Sequence, residues 1–154
     1  MNVFFSDEQD ESADGGDLRH LAEVVLQQES FPASTEVAVM LVDSTQMTSY
    51  NERFMGRRGP TDVLAFPLEE LVPGVAPSVM SDEPPIALGD VLLCPSEIAG
   101  RAVAEGVEYQ NLLHLLLVHG MLHLLGYGHE DDAASHRMAH REDELLSAAG
   151  KVVP

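Results

Sequence analysis

Cysteine, basic residues and long apolar runs are all scarce in this chain. Its single cysteine, Cys94, excludes an internal disulfide and fits a reducing compartment, where we expect the thiol to be buried. No stretch approaches the roughly 20 consecutive apolar residues that a membrane helix needs. The first residues also lack the basic start and the apolar run of a secretory signal. We therefore expect a cytoplasmic protein with no membrane partner.

Basic residues number 8 against 26 acidic ones, which gives a formal net charge of −18. A field of that sign repels phosphates, so the composition argues against a general polyanion binder and leaves basic proteins as candidate partners. Three of the 8 bases, Arg53, Arg57 and Arg58, nevertheless lie within six residues of one another. Either these arginines form a local site for nucleic acid, or they are ordinary solvated residues of a loop.

The pattern of apolar residues predicts a single α+β domain spanning residues 1–154. Strands are expected at 3–5, 36–42, 61–66 and 86–94, and helices at 17–29, 44–55, 95–105, 108–125 and 133–149. This order predicts a mixed four-stranded sheet packed with about five helices. The proline-rich stretch 67–87 is predicted to be a long loop.

Several of these elements carry more specific expectations. Strand 36–42 is apolar at nearly every position, which is typical of a central strand covered on both faces. The helix at 108–125 has leucine on all sides, so we expect it to be the buried central helix. The last helix is charged and is expected to be mostly exposed. Asp17 is expected to cap the first helix, and Ser44 or Thr45 is expected to start the second.

Three histidines lie in and just after the central helix, in the segment His119-Gly-Met-Leu-His123-Leu-Leu-Gly126-Tyr-Gly-His129. Residues four apart share one helical face, so His119 and His123 can direct their imidazoles at one point. Gly126 can take the left-handed conformation that ends a helix and returns the chain toward His129. Three neutral imidazoles with one open position are typical of a catalytic zinc site, so we predict one Zn²⁺ per chain on the central helix and the turn after it.

The alternative interpretation is that each of these histidines is hydrogen-bonded separately in or near the core. Burying three imidazoles among leucines without partners costs several kcal/mol, and a metal removes that cost. Histidine spacing alone is weaker support. His136 and His140 are also four apart, beside Arg137 and Arg141, and there an exposed polar face is the favoured interpretation. His114 is expected to be a buried or packed histidine that faces elsewhere.

The segment resembles the long zinc-protease motif His-Glu-x-x-His-x-x-Gly-x-x-His except at its second position, which is Gly120 here. In those proteases the glutamate is the general base that takes a proton from metal-bound water. Its absence makes peptide hydrolysis the second choice, whereas attack on a phosphodiester needs little besides the metal. Glu130, Asp131 and Asp132 are conceivable bases or supports of the ligands, and surface acids are the favoured interpretation.

Two further motifs precede the histidine segment. Residues 60–67 read Pro-Thr-Asp-Val-Leu-Ala-Phe-Pro, and residues 89–95 read Gly-Asp-Val-Leu-Leu-Cys-Pro. In this order the three motifs resemble those of the YbeY family of metal-dependent endoribonucleases. Together they cover most of residues 36–146.

The resemblance implies a bacterial, zinc-dependent, single-strand-specific endoribonuclease with a mixed sheet and a buried metal-bearing helix. It implies a role in 16S ribosomal RNA 3′ end maturation and in ribosome quality control. Ribosomal RNA and small-subunit components are the implied partners. His119, His123 and His129 carry over as the zinc ligands.

Two positions depart from the family pattern. Many members have aspartate just before the third histidine, where this chain has Gly128, so a supporting role of that carboxylate is in doubt. Many members have an arginine used for RNA cleavage where this chain has Met55. We therefore predict that Arg53, Arg57 or Arg58 replaces the missing cation at the scissile phosphate.

Three functions stay open at this point, and the endoribonuclease is favoured. A zinc metalloprotease-like hydrolase is supported by the ligand spacing and opposed by Gly120. A non-catalytic ribosome assembly factor would use its metal only structurally, and the −18 charge suits binding to basic ribosomal proteins. Three histidines without a fourth protein ligand speak against such a closed structural site.

Overall fold

A computed structural model describes residues 1–78 and 83–154 of the chain. Within these residues the chain forms four strands and five helices. In chain order they are β1 (Asn2–Glu8), α1 (Gly15–Gln28), β2 (Glu36–Val42), α2 (Ser44–Met55), β3 (Val63–Pro67), β4 (Ala87–Leu93), α3 (Pro95–Glu105), α4 (Tyr109–Leu124) and α5 (Asp132–Ala148).

The four strands form one sheet in the order β1-β2-β4-β3. β1, β2 and β4 run parallel, whereas β3 lies antiparallel to β4 at the edge. The predicted α+β class with a mixed four-stranded sheet and five helices is therefore confirmed, and β2 is an interior strand as expected. β1 is longer than predicted because all of Asn2–Glu8 pairs with Glu36–Val42 of β2.

The two faces of the sheet are covered very differently. On one face, Val37, Val39 and Leu41 of β2 are buried in the main core together with residues of α1, α3, α4 and α5. On the opposite face, Ala38 and Met40 are only half-buried, and a smaller cluster forms around Met47 of α2. We call these the covered face and the open face. The expectation that 36–42 is buried on both faces is wrong, because the 12-residue helix α2 covers only part of the open face.

Helix α1 begins earlier than predicted and has a different cap. The side chain of Asp14 accepts a hydrogen bond from the backbone N–H of Asp17 at 3.1 Å. The prediction that Asp17 caps this helix is therefore wrong. The Asp17 carboxylate instead pairs with Lys151 near the C-terminus and with His114 of α4, so it joins α1 to two distant segments.

Helix α2 begins at Ser44, as predicted, and the preceding residue, Asp43, caps it. The Asp43 side chain accepts from the backbone N–H of Gln46 at 2.8 Å, and the Gln46 side chain accepts from the Asp43 N–H at 3.2 Å. This reciprocal pair is a capping box, which satisfies two otherwise unpaired N–H groups at the helix start.

Helix α5 is mostly exposed, as its charge predicts. One stripe of it is buried in the core, and it consists of Met138, Glu142, Leu145 and Leu146. α4 matches the prediction of a buried central helix, since it packs against β3, β4 and three other helices. None of the helices in the described ranges is long and apolar enough to cross a membrane.

The proline-rich stretch 67–87 is shorter as a loop than predicted, because Pro67 ends β3 and Ala87 begins β4. The described part of the connection forms no helix and no strand beyond an isolated bridge between Val72 and Val75. Residues 79–82 of the predicted loop lie outside the described residues. Cys94, just after β4, is buried and free as expected.

Candidate metal centre

The three histidines converge at the C-terminal end of α4. His119 and His123 lie one turn apart on that helix, and the chain then turns at Gly126, whose φ of 98° is left-handed as predicted. A Cβ atom at Gly126 would lie 2.1 Å from the carbonyl oxygen of Leu71. Only glycine therefore fits this turn, which brings His129 back to the other two rings.

The imidazole rings of this histidine cluster form a compact triangle. The ring centroids are 4.6 Å apart for His119 and His123, 5.4 Å for His119 and His129, and 5.3 Å for His123 and His129. One nitrogen from each ring can be chosen so that all lie within 4.8 Å of one another. The first two rings are half-buried and His129 is exposed, so the cluster opens to solvent on one side.

Each ring is oriented by a contact at its Nδ1 atom. The partners are Oε1 of Glu142 for His119 at 3.2 Å, the carbonyl oxygen of Tyr127 for His123 at 3.0 Å, and Oγ of Ser135 for His129 at 3.3 Å. Because a carbonyl oxygen only accepts, His123 donates its Nδ1–H to Tyr127 and carries a lone pair on Nε2. An ionised Glu142 carboxylate imposes the same tautomer on His119.

Two lone pairs therefore face each other inside the cluster. The Nε2 atoms of His119 and His123 are 3.1 Å apart. Two acceptors at this separation repel each other unless a cation lies between them. Two nitrogens bound to one tetrahedral zinc ion are about 3.3 Å apart, given Zn–N distances near 2.0–2.1 Å. The cluster of three histidines thus has the geometry to hold a divalent metal ion.

The electrostatic environment favours the neutral imidazoles that a metal requires. Burial, and next the neighbouring His119, lower the pKa of the His123 ring below its ordinary value. The hydrogen bond to the Tyr127 carbonyl opposes this shift. The net direction keeps His123 unprotonated at neutral pH, which leaves its Nε2 lone pair available for a metal.

Glu142 is a residue of this site that the sequence did not reveal. Its side chain reaches from α5 to His119, and the residue is only 8% exposed. Because α5 has many charged residues, one further glutamate in it did not stand out in the sequence. A signal was present, because Glu142 stands four residues after Met138 and three before Leu145, on the apolar stripe of that helix. An acid on such a stripe indicates a buried polar partner.

Gly120 is required by packing. A Cβ atom at this position would lie 2.7 Å from Cγ1 of Val91 and 3.2 Å from Cγ2 of Val63. The backbone of α4 therefore rests directly on β3 and β4, and a glutamate side chain has no room here. The base of the zinc-protease motif is thus sterically excluded as well as absent from the sequence.

Of the three arginines predicted to contact the scissile phosphate, Arg57 alone lines the same cavity as the histidines. Arg57 and Met55 line one open cavity of about 470 Å³ together with the histidine cluster. Arg53 lies over the ring of Phe54, with its guanidinium carbon 5.2 Å from the centroid. Arg58 is exposed in the loop after α2 and, like Arg53, does not line this cavity. The catalytic role of the arginines stays a prediction, for which the geometry favours Arg57.

Polar groups of α2 hold the backbone of the loop that carries Arg57 and Arg58. Nδ2 of the buried Asn51 donates to the carbonyl oxygen of Gly59 at 2.9 Å, and the Glu52 carboxylate accepts from the Gly59 N–H at 3.2 Å. The N–H of Arg57 donates to the Asn51 carbonyl oxygen at 3.3 Å. The ion pairs found in the described ranges use neither guanidinium, so both side chains are available to a ligand.

The other histidines behave as predicted. His136 and His140 are exposed on α5, outside the cluster. His114 is buried, and its Nε2 lies 3.0 Å from Oδ2 of Asp17. Burial lowers the pKa of His114, and the nearby Lys151 acts in the same direction.

The acids after His129 are exposed, as predicted for surface acids. Asp131 caps α5 by accepting from the N–H of Ala134 at 2.7 Å. The Glu130 carboxylate lies against the backbone of Gly128, where a Cβ atom would be 2.2 Å from Oε1 of Glu130. The space beside Gly128, where many family members place an aspartate, is thus occupied by the side chain of Glu130.

Comparison with known proteins accounts for this arrangement. The family described as Endoribonuclease YbeY matches residues 4–150. The chain belongs to the endoribonuclease YbeY family. The resemblance inferred from the three sequence motifs is therefore confirmed.

Relatives and a solved structure agree with this assignment. A protein of Acidothermus cellulolyticus named Endoribonuclease YbeY is 40% identical over 149 residues, which cover 96% of this chain and 91% of that protein. A protein of the same name from Thermobifida fusca is 39% identical over 147 residues, which cover 96% and 93%. The solution structure of a Thermotoga maritima protein matches with a TM-score of 0.63 at 26% identity, over 96% of this chain and 88% of that one.

Proposed function

We propose that this chain is a metal-dependent endoribonuclease that acts on ribosomal RNA, with one zinc ion held by His119, His123 and His129. The observation that carries the proposal is the 3.1 Å separation of the Nε2 atoms of His119 and His123 beside an open cavity that Arg57 also lines. Membership of the YbeY family supports an RNA substrate. The finer points, namely 16S 3′ end maturation, ribosome quality control, small-subunit partners and a cytoplasmic location, rest on the resemblance to that family.

The residues around the cavity have separate roles in the proposed cleavage of RNA. His119, His123 and His129 would hold a divalent metal ion, which would supply Lewis-acid polarisation of a phosphoryl oxygen and a lowered pKa for water, toward about 7. Glu142 and the Tyr127 carbonyl keep two of the imidazoles in the tautomer that presents Nε2. Arg57 supplies a forked cationic donor that suits a phosphate in the same cavity.

The residues that line the cavity favour cleavage of a phosphodiester bond over hydrolysis of a peptide bond. Among the described residues its lining includes no carboxylate that could serve as a general base. The position that bears this base in zinc proteases is Gly120, whose packing against Val91 leaves no room for a side chain. The protease alternative therefore loses support.

An RNA cleavage assay tests the proposal. We expect the zinc-loaded chain to cleave a single-stranded precursor of the 16S 3′ end, and the His123→Ala variant to be inactive. His136→Ala, which removes an exposed histidine from α5, should cleave like the native chain. Cleavage by His123→Ala at the native rate would overturn the proposal. Peptide cleavage by the same zinc-loaded sample, without RNA cleavage, would favour the protease instead.

A further inference from the structure

The open face of the sheet carries a second cavity, which the proposed metal chemistry does not use. We call it the aromatic pocket. It is lined by Met40, Tyr50, Phe54, Phe66, Asp90 and Leu92. Its volume of about 280 Å³ lies just below the range of about 300–1,000 Å³ that is usual for drug-sized ligands. The pocket therefore suits a single planar ring system.

Three aromatic rings line this pocket. The centroids of Tyr50 and Phe54 are 6.1 Å apart in a stacked arrangement, and those of Phe54 and Phe66 are 5.6 Å apart edge to face. Phe54 is 57% exposed, and the guanidinium of Arg53 lies over its ring. Exposed aromatic rings beside arginine are the platforms on which proteins stack the bases of single-stranded nucleic acids.

Asp90 brings a carboxylate into this otherwise apolar pocket. Its neighbours in the sheet are Ala38 on β2 and Phe66 on β3, neither of which has a polar side chain. In the part of the chain that the structure describes, no side chain forms a hydrogen bond or ion pair with the Asp90 carboxylate. A carboxylate beside apolar side chains gains most from a ligand that donates N–H groups.

The aromatic pocket and the cavity at the histidine cluster lie on opposite faces of the sheet, on either side of the edge strand β3. Phe54 lines the pocket, and the next residues along the chain, Met55 and Arg57, line the cavity. Along β3, Phe66 lines the pocket and Ala65 lines the cavity, because successive side chains of a strand point to opposite faces of the sheet. A strand of RNA with its scissile phosphate at the histidines therefore has to pass over this sheet edge to place a base in the pocket.

Charge also indicates which ligand the pocket takes. The adjoining arginines Arg53, Arg57 and Arg58 are three of only 8 bases in a chain of net charge −18. Elsewhere on the chain, Arg101, Arg141 and Lys151 are neutralised by ion pairs with carboxylates. A polyanion is therefore attracted to this place in particular.

We propose that the aromatic pocket binds one guanine base of the RNA substrate. The rings of Tyr50, Phe54 and Phe66 hold its faces, and Asp90 accepts from its edge. Guanine presents two adjacent donors, N1–H and N2–H₂, which match the two oxygens of a carboxylate, whereas the single N–H of uracil lies between two carbonyl oxygens. The inference rests on the proposed function for RNA as the substrate, and it adds a base preference to it.

Binding of mononucleotides tests this inference independently of cleavage, because a mononucleotide has no internal phosphodiester. We expect the zinc-loaded chain to bind guanosine monophosphate about 10-fold more tightly than uridine monophosphate, as a good bidentate contact to a base allows. Asp90→Asn should abolish this preference, because an amide offers one donor and one acceptor in place of two acceptors. Equal binding of the two nucleotides by the native chain would overturn the inference.

Substitutions of Phe54 separate stacking from simple hydrophobic contact. Phe54→Leu should weaken binding of both nucleotides about 5- to 100-fold, whereas Phe54→Tyr should retain it. Arg19→Ala, an exposed arginine of α1, serves as the control and should bind both like the native chain. Phe54 is largely exposed, so thermal unfolding should show both variants folded. Native binding by Phe54→Leu would contradict the stacking role.

The experiments can reject the guanine-binding pocket and the proposed endoribonuclease activity independently of each other. The His123→Ala variant, which we expect to be inactive, should keep the guanine preference. RNA cleavage without any base preference would overturn the aromatic pocket alone. A guanine preference in a chain that never cleaves RNA would overturn the endoribonuclease alone.

Discussion

The covered face and the open face of the sheet differ in how tightly their helices pack. On the covered face, α4 lies so close to β3 and β4 that Gly120 has no room for a Cβ atom. On the open face, α2 leaves Met40 half-buried, Phe54 exposed and Asp90 without a partner among the described residues. Tight packing fixes the helix that carries His119 and His123 of the proposed metal centre. The looser face presents rings and charge to a ligand.

The largest expected difference in stability is between leucine substitutions at two helix glycines, Gly120 on the covered face and Gly100 away from it. Gly120→Leu should destabilise the protein by about 3 kcal/mol or more, because the side chain collides with Val91. Gly100→Leu in α3, where nothing lies within 4 Å of a Cβ atom, should instead stabilise it by about 0.5 kcal/mol through helix propensity. Denaturant unfolding of both variants checks this. Equal stability of the two would contradict the close packing of α4.

Removal of Glu142 tests how far the covered face controls the metal cluster. Glu142→Ala should lower zinc affinity about 10- to 100-fold, because His119 then loses the group that orients its ring. The neighbouring Asp143 is exposed, and Asp143→Ala should bind zinc like the native chain. Competition with a chelating dye measures both affinities. Native affinity in Glu142→Ala would show that the contact with His119 is incidental.

The arginines of the loop after α2 should differ in how much their replacement slows RNA cleavage. Arg57→Ala should slow RNA cleavage about 10- to 100-fold, since a charged hydrogen bond to phosphate contributes about 1.5–3 kcal/mol. Arg58→Ala should have a smaller effect, because Arg58 does not line the histidine cavity. Arg19→Ala again serves as the control. If all three arginines of this loop region, including Arg53, can be replaced by alanine without loss of cleavage or RNA binding, their predicted role is wrong.

The histidine cluster was the part of the site that the sequence predicted best. Four-residue spacing on a helix fixes the relative direction of two side chains, and Gly126 marks the turn that returns His129. These are local properties. Glu142 comes from another helix, and its contact with His119 depends on how α5 docks. No local pattern in either helix specifies that docking.

The open face shows the same limit for the fold. The apolar run of β2 predicts a buried strand, and it cannot show that α2 is too short to cover Ala38 and Met40. The predicted cap of α1 was wrong for a simpler reason, because an aspartate just upstream, Asp14, accepts a free N–H group at the helix start. The arginine cluster was visible in the sequence, whereas the selection of Arg57 required the cavity.

Acid should lower the free energy of unfolding by a small amount, part of which comes from His114 on α4. Burial lowers the pKa of His114 below its ordinary 6.5, so the native state binds fewer protons than the unfolded chain just below that pH. Stability therefore falls as the pH drops below about 6.5, by at most about 1.4 kcal/mol per unit for this group. Unfolding free energies at about pH 7 and pH 5 should show a smaller loss in His114→Asn than in the native chain. His136→Asn, an exposed control, should behave like the native chain.

Zinc titration of the metal-free chain tests the central claim most directly. We predict one zinc ion per native chain by calorimetry with metal analysis, no tight binding in His123→Ala, and native binding in His140→Ala, which alters an exposed histidine of α5. Unchanged stoichiometry and affinity in His123→Ala would contradict a metal centre at His119, His123 and His129.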